Sequence, residues 1–125
     1  MLGALAALVA SVGLAVGAAG QHAVARTTAA TTTTCPITVA LGEHLGPSYV
    51  TSVTATGVSC AGAMLVVKAF YACRVAAGGP SGHCHRSVLG YRCAETRTGI
   101  SIQFDARVSC VDGRRTVLHT YVQNT

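Results

Sequence analysis

Six cysteines, at positions 35, 60, 73, 84, 93 and 110, are the residues of this 125-residue chain with the most chemistry open to them. Cysteines at this density hold a metal, attack a substrate or cross-link the fold. A zinc site takes ligands from cysteines paired at short spacing, and the chain has no Cys-x-x-Cys. A catalytic thiol would leave an odd cysteine, and here the count is even. The spacing therefore predicts three disulfides in an exported domain. Cys73 and Cys84 flank Gly78-Gly79-Pro80, where a chain that turns back brings two Cα atoms within bridging range, so Cys73–Cys84 is one expected pair. Connectivity among the other four stays open on paper. The favoured pairs are Cys60–Cys93, which would pin the start of a helix to a sheet, and Cys35–Cys110, which would close a loop of about 75 residues worth ~4 kcal/mol in the chain-entropy model.

Histidines offer the second chemistry. His83-Cys84-His85 places two imidazoles at i and i+2, which with His44 or His119 could ligate a transition metal. Against this stands a simpler reading, a polar loop flanking a structural cystine, with His119 packed in the last strand beside Val117 and Tyr121. The four carboxylates are Glu43, Glu95, Asp105 and Asp112. Asp112 belongs to a turn, Glu95 has Arg97 or Arg92 within pairing distance along the chain, and no two are spaced as an acid/base couple. Gly79-Pro80-Ser81-Gly82 is not a nucleophile elbow. Gly78-Gly79 follows a helix and does not open one, so it is no phosphate cradle. No cofactor and no catalytic residue is expected.

Charge narrows the partners. Nine Lys and Arg against four Asp and Glu give a net charge of +5. Eight of the nine are Arg, which with the Ala, Gly, Val and Thr richness reads as the coding bias of a high-GC bacterial genome. The excess favours loose attraction to anionic surfaces. A nucleic-acid partner is not expected, because there is neither a dense basic run nor an aromatic series for stacking bases.

The elements that must position these groups follow from the pattern. Leu2 to Ala19 is apolar except for Ser11, and small residues follow it at Ala18-Ala19-Gly20 and Ala23-Val24-Ala25, so residues 1–25 read as a signal peptide or an N-terminal anchor. A membrane association is expected only if that segment is not cleaved. Its n-region lacks the usual positive charge, and Cys35 lies too far along for a lipoprotein. Residues 26–34 read as a Thr-rich linker that cannot build a core. Residues 35–125 are the single domain, marginal in size without cross-links. Within it Cys35–Leu41 and Tyr49–Val58 read as strands around a turn at Gly42–Ser48. In the second, Tyr49, Thr51, Val53 and Ala55 alternate against Val50, Ser52, Thr54 and Thr56. Ser59 is an N-cap for an Ala-rich helix from Cys60 to Cys73. Its face carries Cys60, Ala63, Val67 and Phe70, widened by Met64 and Tyr71, with Lys68 opposite. Ser87–Cys93 reads as a strand. Gly99–Cys110 reads as another, with Ile100, Ile102, Phe104, Ala106, Val108 and Cys110 on one face. Asp112-Gly113 turns the chain into a returning strand, Arg115–Val122. The expected order is β-β-α-β-β-β: an α+β fold in which one Ala-rich helix packs on a mostly antiparallel sheet of about four to five strands, stapled by disulfides.

Val58-Ser59-Cys60-x-x-Ala63-x-x-Val66-Val67-x-x-Phe70, then Gly90-Tyr91-x-Cys93, then Val108-x-Cys110-x-x-Gly113 resembles a group of small exported actinobacterial proteins without a characterised activity. The resemblance covers roughly residues 53 to 122. It implies an exported compartment and a helix–strand–hairpin fold, and no reaction. Cys73–Cys84 looks like an addition that not every member shares. Three functions are weighed: a secreted or cell-envelope, non-catalytic module that binds a protein or envelope ligand; a small secreted hydrolase or metal-dependent enzyme using the histidines; and a protease inhibitor presenting Gly78–His83.

Overall fold

The computed structural model describes Gly20 and residues 23–125. The elements are β1 (Thr32–Cys35), α1 (Val39–His44), β2 (Tyr49–Thr56), α2 (Cys60–Ala76), β3 (Arg92–Ile100), β4 (Gln103–Asp112) and β5 (Arg115–Asn124). The signal-peptide reading of residues 1–25 falls mostly on residues 1–19, 21 and 22, which lie outside the described residues. No helix among the described residues is long and apolar enough to cross a membrane.

Alternation in β4 sets the layers. Phe104, Ala106, Val108 and Cys110 are buried, while the residues between them face outward. β5 hydrogen-bonds along the whole of β4, from Gln103↔Asn124 to Asp112↔Arg115, and the chain reverses at Gly113, whose φ of 57° suits glycine. The sheet has five strands in the order β1-β2-β5-β4-β3, every neighbouring pair antiparallel. One face is covered by α2, which buries Ala63, Val66, Val67, Phe70, Cys73 and Arg74 against Val53, Ala55, Val117 and Tyr121 of the core. Each fully buried Val or Phe contributes about 1.5–3 kcal/mol. Ser59 caps α2, its hydroxyl accepting from the Gly62 amide at 3.1 Å. The helix stops where Gly79 donates to the Val75 carbonyl at 2.8 Å. The architecture is α+β, one main helix on an antiparallel sheet with three disulfides.

Several local expectations are corrected. Cys35–Leu41 is not one strand. Pro36 ends the pairing, Thr38 caps α1 through its hydroxyl, and a Cβ at Gly42 would collide with the Val50 carbonyl at 2.6 Å, so that helix packs on β2 as only glycine permits. Residues 26–34 are not a free linker throughout. Thr32, Thr33 and Thr34 pair with Thr56, Ala55 and Thr54. They add nothing to the core, yet their backbone groups complete an edge strand, and β-branched threonine suits that role. The alternation expected in β2 breaks at Thr51. A register shift between Val50 and Ser52 puts Val50 on the buried side with Val53 and Ala55, as a bulge does. Ile100 and Ile102 leave the expected apolar face and stand 64% and 58% exposed, because the chain reverses between Ile100 and Gln103. What reads as one strand from Gly99 is the end of β3, a turn and β4. Ser87–Cys93 is likewise reduced to an isolated bridge between Val88 and Tyr91 before β3 begins.

The disulfides are Cys35–Cys60, Cys73–Cys84 and Cys93–Cys110. The expected Cys60–Cys93 and Cys35–Cys110 pairs are not formed. Cys93 lies directly across from Cys110 in the β3–β4 register, with Cα atoms 4.0 Å apart, and β1 ends beside the first turn of α2, where Cys35 and Cys60 come within 5.6 Å. All three bridges are local in space and close short loops.

A non-reducing peptide map should link these three pairs and no others. Replacing Cys35 and Cys60 together by alanine should cost about 3 kcal/mol in urea unfolding, the loop-closure value for this span. The same double variant should lose amide-exchange protection first at Thr33 and at position 35.

Candidate functional site

The apolar series of α2, Ala63, Val67 and Phe70, continues at helical spacing to position 74, and the residue there is arginine. Arg74 is fully buried. Its guanidinium lies 4.4 Å from the Tyr121 ring centre and 5.2 Å from that of Tyr71, distances at which a cation and a ring attract. Nη1 donates to the Pro80 carbonyl at 2.5 Å, and Nη2 donates to Gln123 Oε1 at 3.2 Å. Nε has no partner. Burial lowers the pKa of this group, and Tyr121 and Glu95 oppose the effect.

A second arginine stands beside it. β3 turns Cys93, Glu95 and Arg97 toward the helix side, as strand alternation requires. Arg97 pairs with Glu95 through Nη2 at 2.8 Å and Nε at 2.9 Å, the pairing that their spacing allowed. It packs 4.3 Å over the Phe104 ring. Its Nη1 donates to the Ser81 carbonyl at 2.8 Å and its Nη2 to the Gly82 carbonyl at 2.6 Å. The Tyr121 hydroxyl donates to the other Glu95 oxygen. Burial first, and that hydrogen bond second, hold the Tyr121 proton well above the usual phenol range.

The two arginines thus take three successive carbonyls of one loop, Pro80, Ser81 and Gly82, from beneath. Ser81 Oγ adds a bond to the Ser101 carbonyl at 2.7 Å. Gly82 has no room for a side chain, since a Cβ would strike the Arg74 carbonyl. Cys84, bonded to Cys73, closes the loop. Hydrogen bonds to a charged donor contribute about 1.5–3 kcal/mol each, so this loop is fixed before it meets anything.

The candidate metal ligands do not converge. His83 and His85 are on the loop surface, their rings 6.0 Å apart, and His83 Nδ1 approaches Glu95 at 3.5 Å. His119 is 2% exposed and packs against Phe70 at 5.6 Å and Tyr121 at 6.0 Å, so it is a core residue and cannot join a surface site. His44 ends α1, a separate element. Among the described residues no group of three or more His, Cys, Asp and Glu is placed to hold a metal. The Gly78–His83 loop turns over residues 77–81. It is folded on itself, with Gly82 donating to the Gly79 carbonyl at 2.8 Å.

What the residues had hidden is Arg74. An arginine continuing an apolar helical stripe was the available signal, overlooked because it follows Cys73 near the helix end. The surface the loop and β3 create carries His85, Arg86, Ser87 and Arg92 around a cleft of about 280 Å³ between Cys84 and Cys93. Comparison with known proteins finds no family model, no curated protein and no solved structure that matches the chain.

Two predictions come from this packing. Burial, assisted by the nearby Arg74 charge, lowers the His119 pKa from 6.5 to about 4. The unfolded chain then takes up a proton that the folded chain refuses, so stability is full above pH 6.5 and falls as pH drops toward 4. The full loss is on the order of 3 kcal/mol. His119→Phe should flatten that limb in urea midpoints measured from pH 7 to pH 4. Separately, Arg97→Ala should cost about 2 kcal/mol and raise amide exchange in residues 81–84 well before that of β4 and β5.

Proposed function

We propose that the chain is a secreted or cell-envelope, non-catalytic module that binds another molecule through the surface formed by residues 81–87 and the start of β3. The observation that carries this reading is the loop held by three carbonyl-directed arginine bonds and a disulfide. A surface ordered in advance loses little conformational entropy on binding. Loops that carry function are those held in place by a rigid scaffold.

Compartment rests on the sulfur. Six cysteines all oxidised in the fold suit an oxidising environment outside the reducing cytosol. The short motifs shared with small exported actinobacterial proteins support the same placement, as does an apolar N-terminal stretch of signal-peptide type. The partner is a protein or an envelope component.

The test is capture from cell-envelope extract on the immobilised, oxidised chain. A component should be retained by the native chain, lost on the reduced and alkylated chain, and lost or strongly reduced on a Ser81→Ala/His83→Ala variant, while Lys68→Gln on the exposed face of α2 captures as before. Recovery that is equal on all four, or nothing above background on the native chain, overturns the reading.

A further inference from the structure

We infer that the cleft between Cys84 and Cys93 is a binding site for the phosphate group of a phosphate ester. This deepens the binding-module reading and rests on it. Six residues line the cleft: Cys84, His85, Arg86, Ser87, Arg92 and Cys93. Two arginines, a histidine and a serine thus contribute to the lining of one cleft, and no carboxylate residue lines it. The three ion pairs among the described residues leave both arginines out: they join Glu95 to Arg97 and His83, and Asp112 to Arg115. Arg86 comes from the loop and Arg92 from β3, and both are exposed. Two cations lining one cleft favour an anion there.

The site is also built to stay open. Cys84 is tied to the end of α2 and Cys93 to β4, so each wall is anchored by its own disulfide. A guanidinium fork presents paired N–H groups to oxygen anions. A carboxylate has two oxygens and is satisfied by one fork. A phosphate, with oxygens on every side, can use both forks and the Ser87 hydroxyl.

Size and neighbourhood indicate an ester. A second cavity of about 380 Å³, lined by Cys73, Ala76, Ala77, His85 and Arg86, shares its His85–Arg86 wall with the first. It is floored by the small side chains that end α2. A phosphate in the polar cleft would thus place its substituent over an apolar groove. The helix end offers a competing role for Arg86, because cations are favoured near a helix C-terminus. That role does not extend to Arg92, which belongs to the strand.

Titration of the ¹⁵N-labelled chain with inorganic phosphate at low ionic strength tests the site. Saturable shifts are expected at the amides of residues 84–87 and 92–93. Arg86→Gln/Arg92→Gln should weaken binding by about a hundredfold or more, the loss of one charge-assisted bond from each arginine. Lys68→Gln/Arg114→Gln, which removes the same net charge elsewhere, should weaken it less than about twofold by the same scale. If the first double variant melts markedly lower, Arg92→Gln alone, which leaves the helix end untouched, makes the comparison. Shifts scattered over all cationic residues without saturation, or equal loss in the two double variants, would mean net charge alone and overturn the proposal. Sedimentation with phosphatidylglycerol–phosphatidylcholine vesicles, against phosphatidylcholine alone, then separates sources. Phosphate-competed co-sedimentation assigns the ester to a lipid headgroup, and saturable phosphate binding without it assigns a soluble or polymeric ester. Envelope capture that persists while phosphate produces no saturable shift refutes the phosphate site and leaves the module reading standing.

Discussion

A buried guanidinium needs acceptors, and much of this molecule is arranged to supply them to Arg74. The side chain enters the core on the same helical stripe as Val67 and Phe70, where desolvation would be prohibitive without compensation. Tyr121 lays its ring beneath the charge, Gln123 turns an amide oxygen toward it, and the chain beyond α2 folds back to deliver the Pro80 carbonyl. The position of the 78–84 loop is therefore a consequence of satisfying a charge in the interior. Arg97 repeats the device from the sheet side. It neutralises Glu95, and in doing so it aims two further donors at the same loop.

Around this polar centre the apolar core is small, and the cysteines make up the difference. Each bridge lies where an element begins or ends: Cys35–Cys60 at the start of α2, Cys73–Cys84 at its end, Cys93–Cys110 between the start of β3 and the end of β4. Bridges of this kind act mainly by limiting the unfolded chain. Here they have a second effect, because two of them anchor Cys84 and Cys93, which line a cleft together with Arg86 and Arg92.

The binding proposal joins these two features. Arg74 and Arg97 fix the loop from below, the Cys73–Cys84 disulfide closes it, and the exposed His85, Arg86 and Arg92 lie beyond it. Order on the inside and unneutralised charge on the outside are the combination expected of a recognition surface for an anion.

How much of this was legible depends on the range of each interaction. Period-two alternation in β4, the Asp112-Gly113 turn, the Ser59 cap and the 3.6-residue stripe of α2 are local properties, so the α+β architecture could be read from the chain, and so could the short Cys73–Cys84 closure across its Gly-Pro turn. The Glu95–Arg97 pair was legible as a possibility for the same reason. Other features depend on partners distant in sequence. The threonines at 32–34 become a strand only because β2 offers an edge. The bulge at Thr51 reverses which residues face inward. The connectivity of four cysteines depended on a register that no spacing encodes. The cleft lies in this second group. Arg86 and Arg92 are six positions apart on a loop and a strand, and it is the path of the chain between them, not their spacing, that puts both in the lining of one cleft, since electrostatic fields follow distance through space and not along the chain.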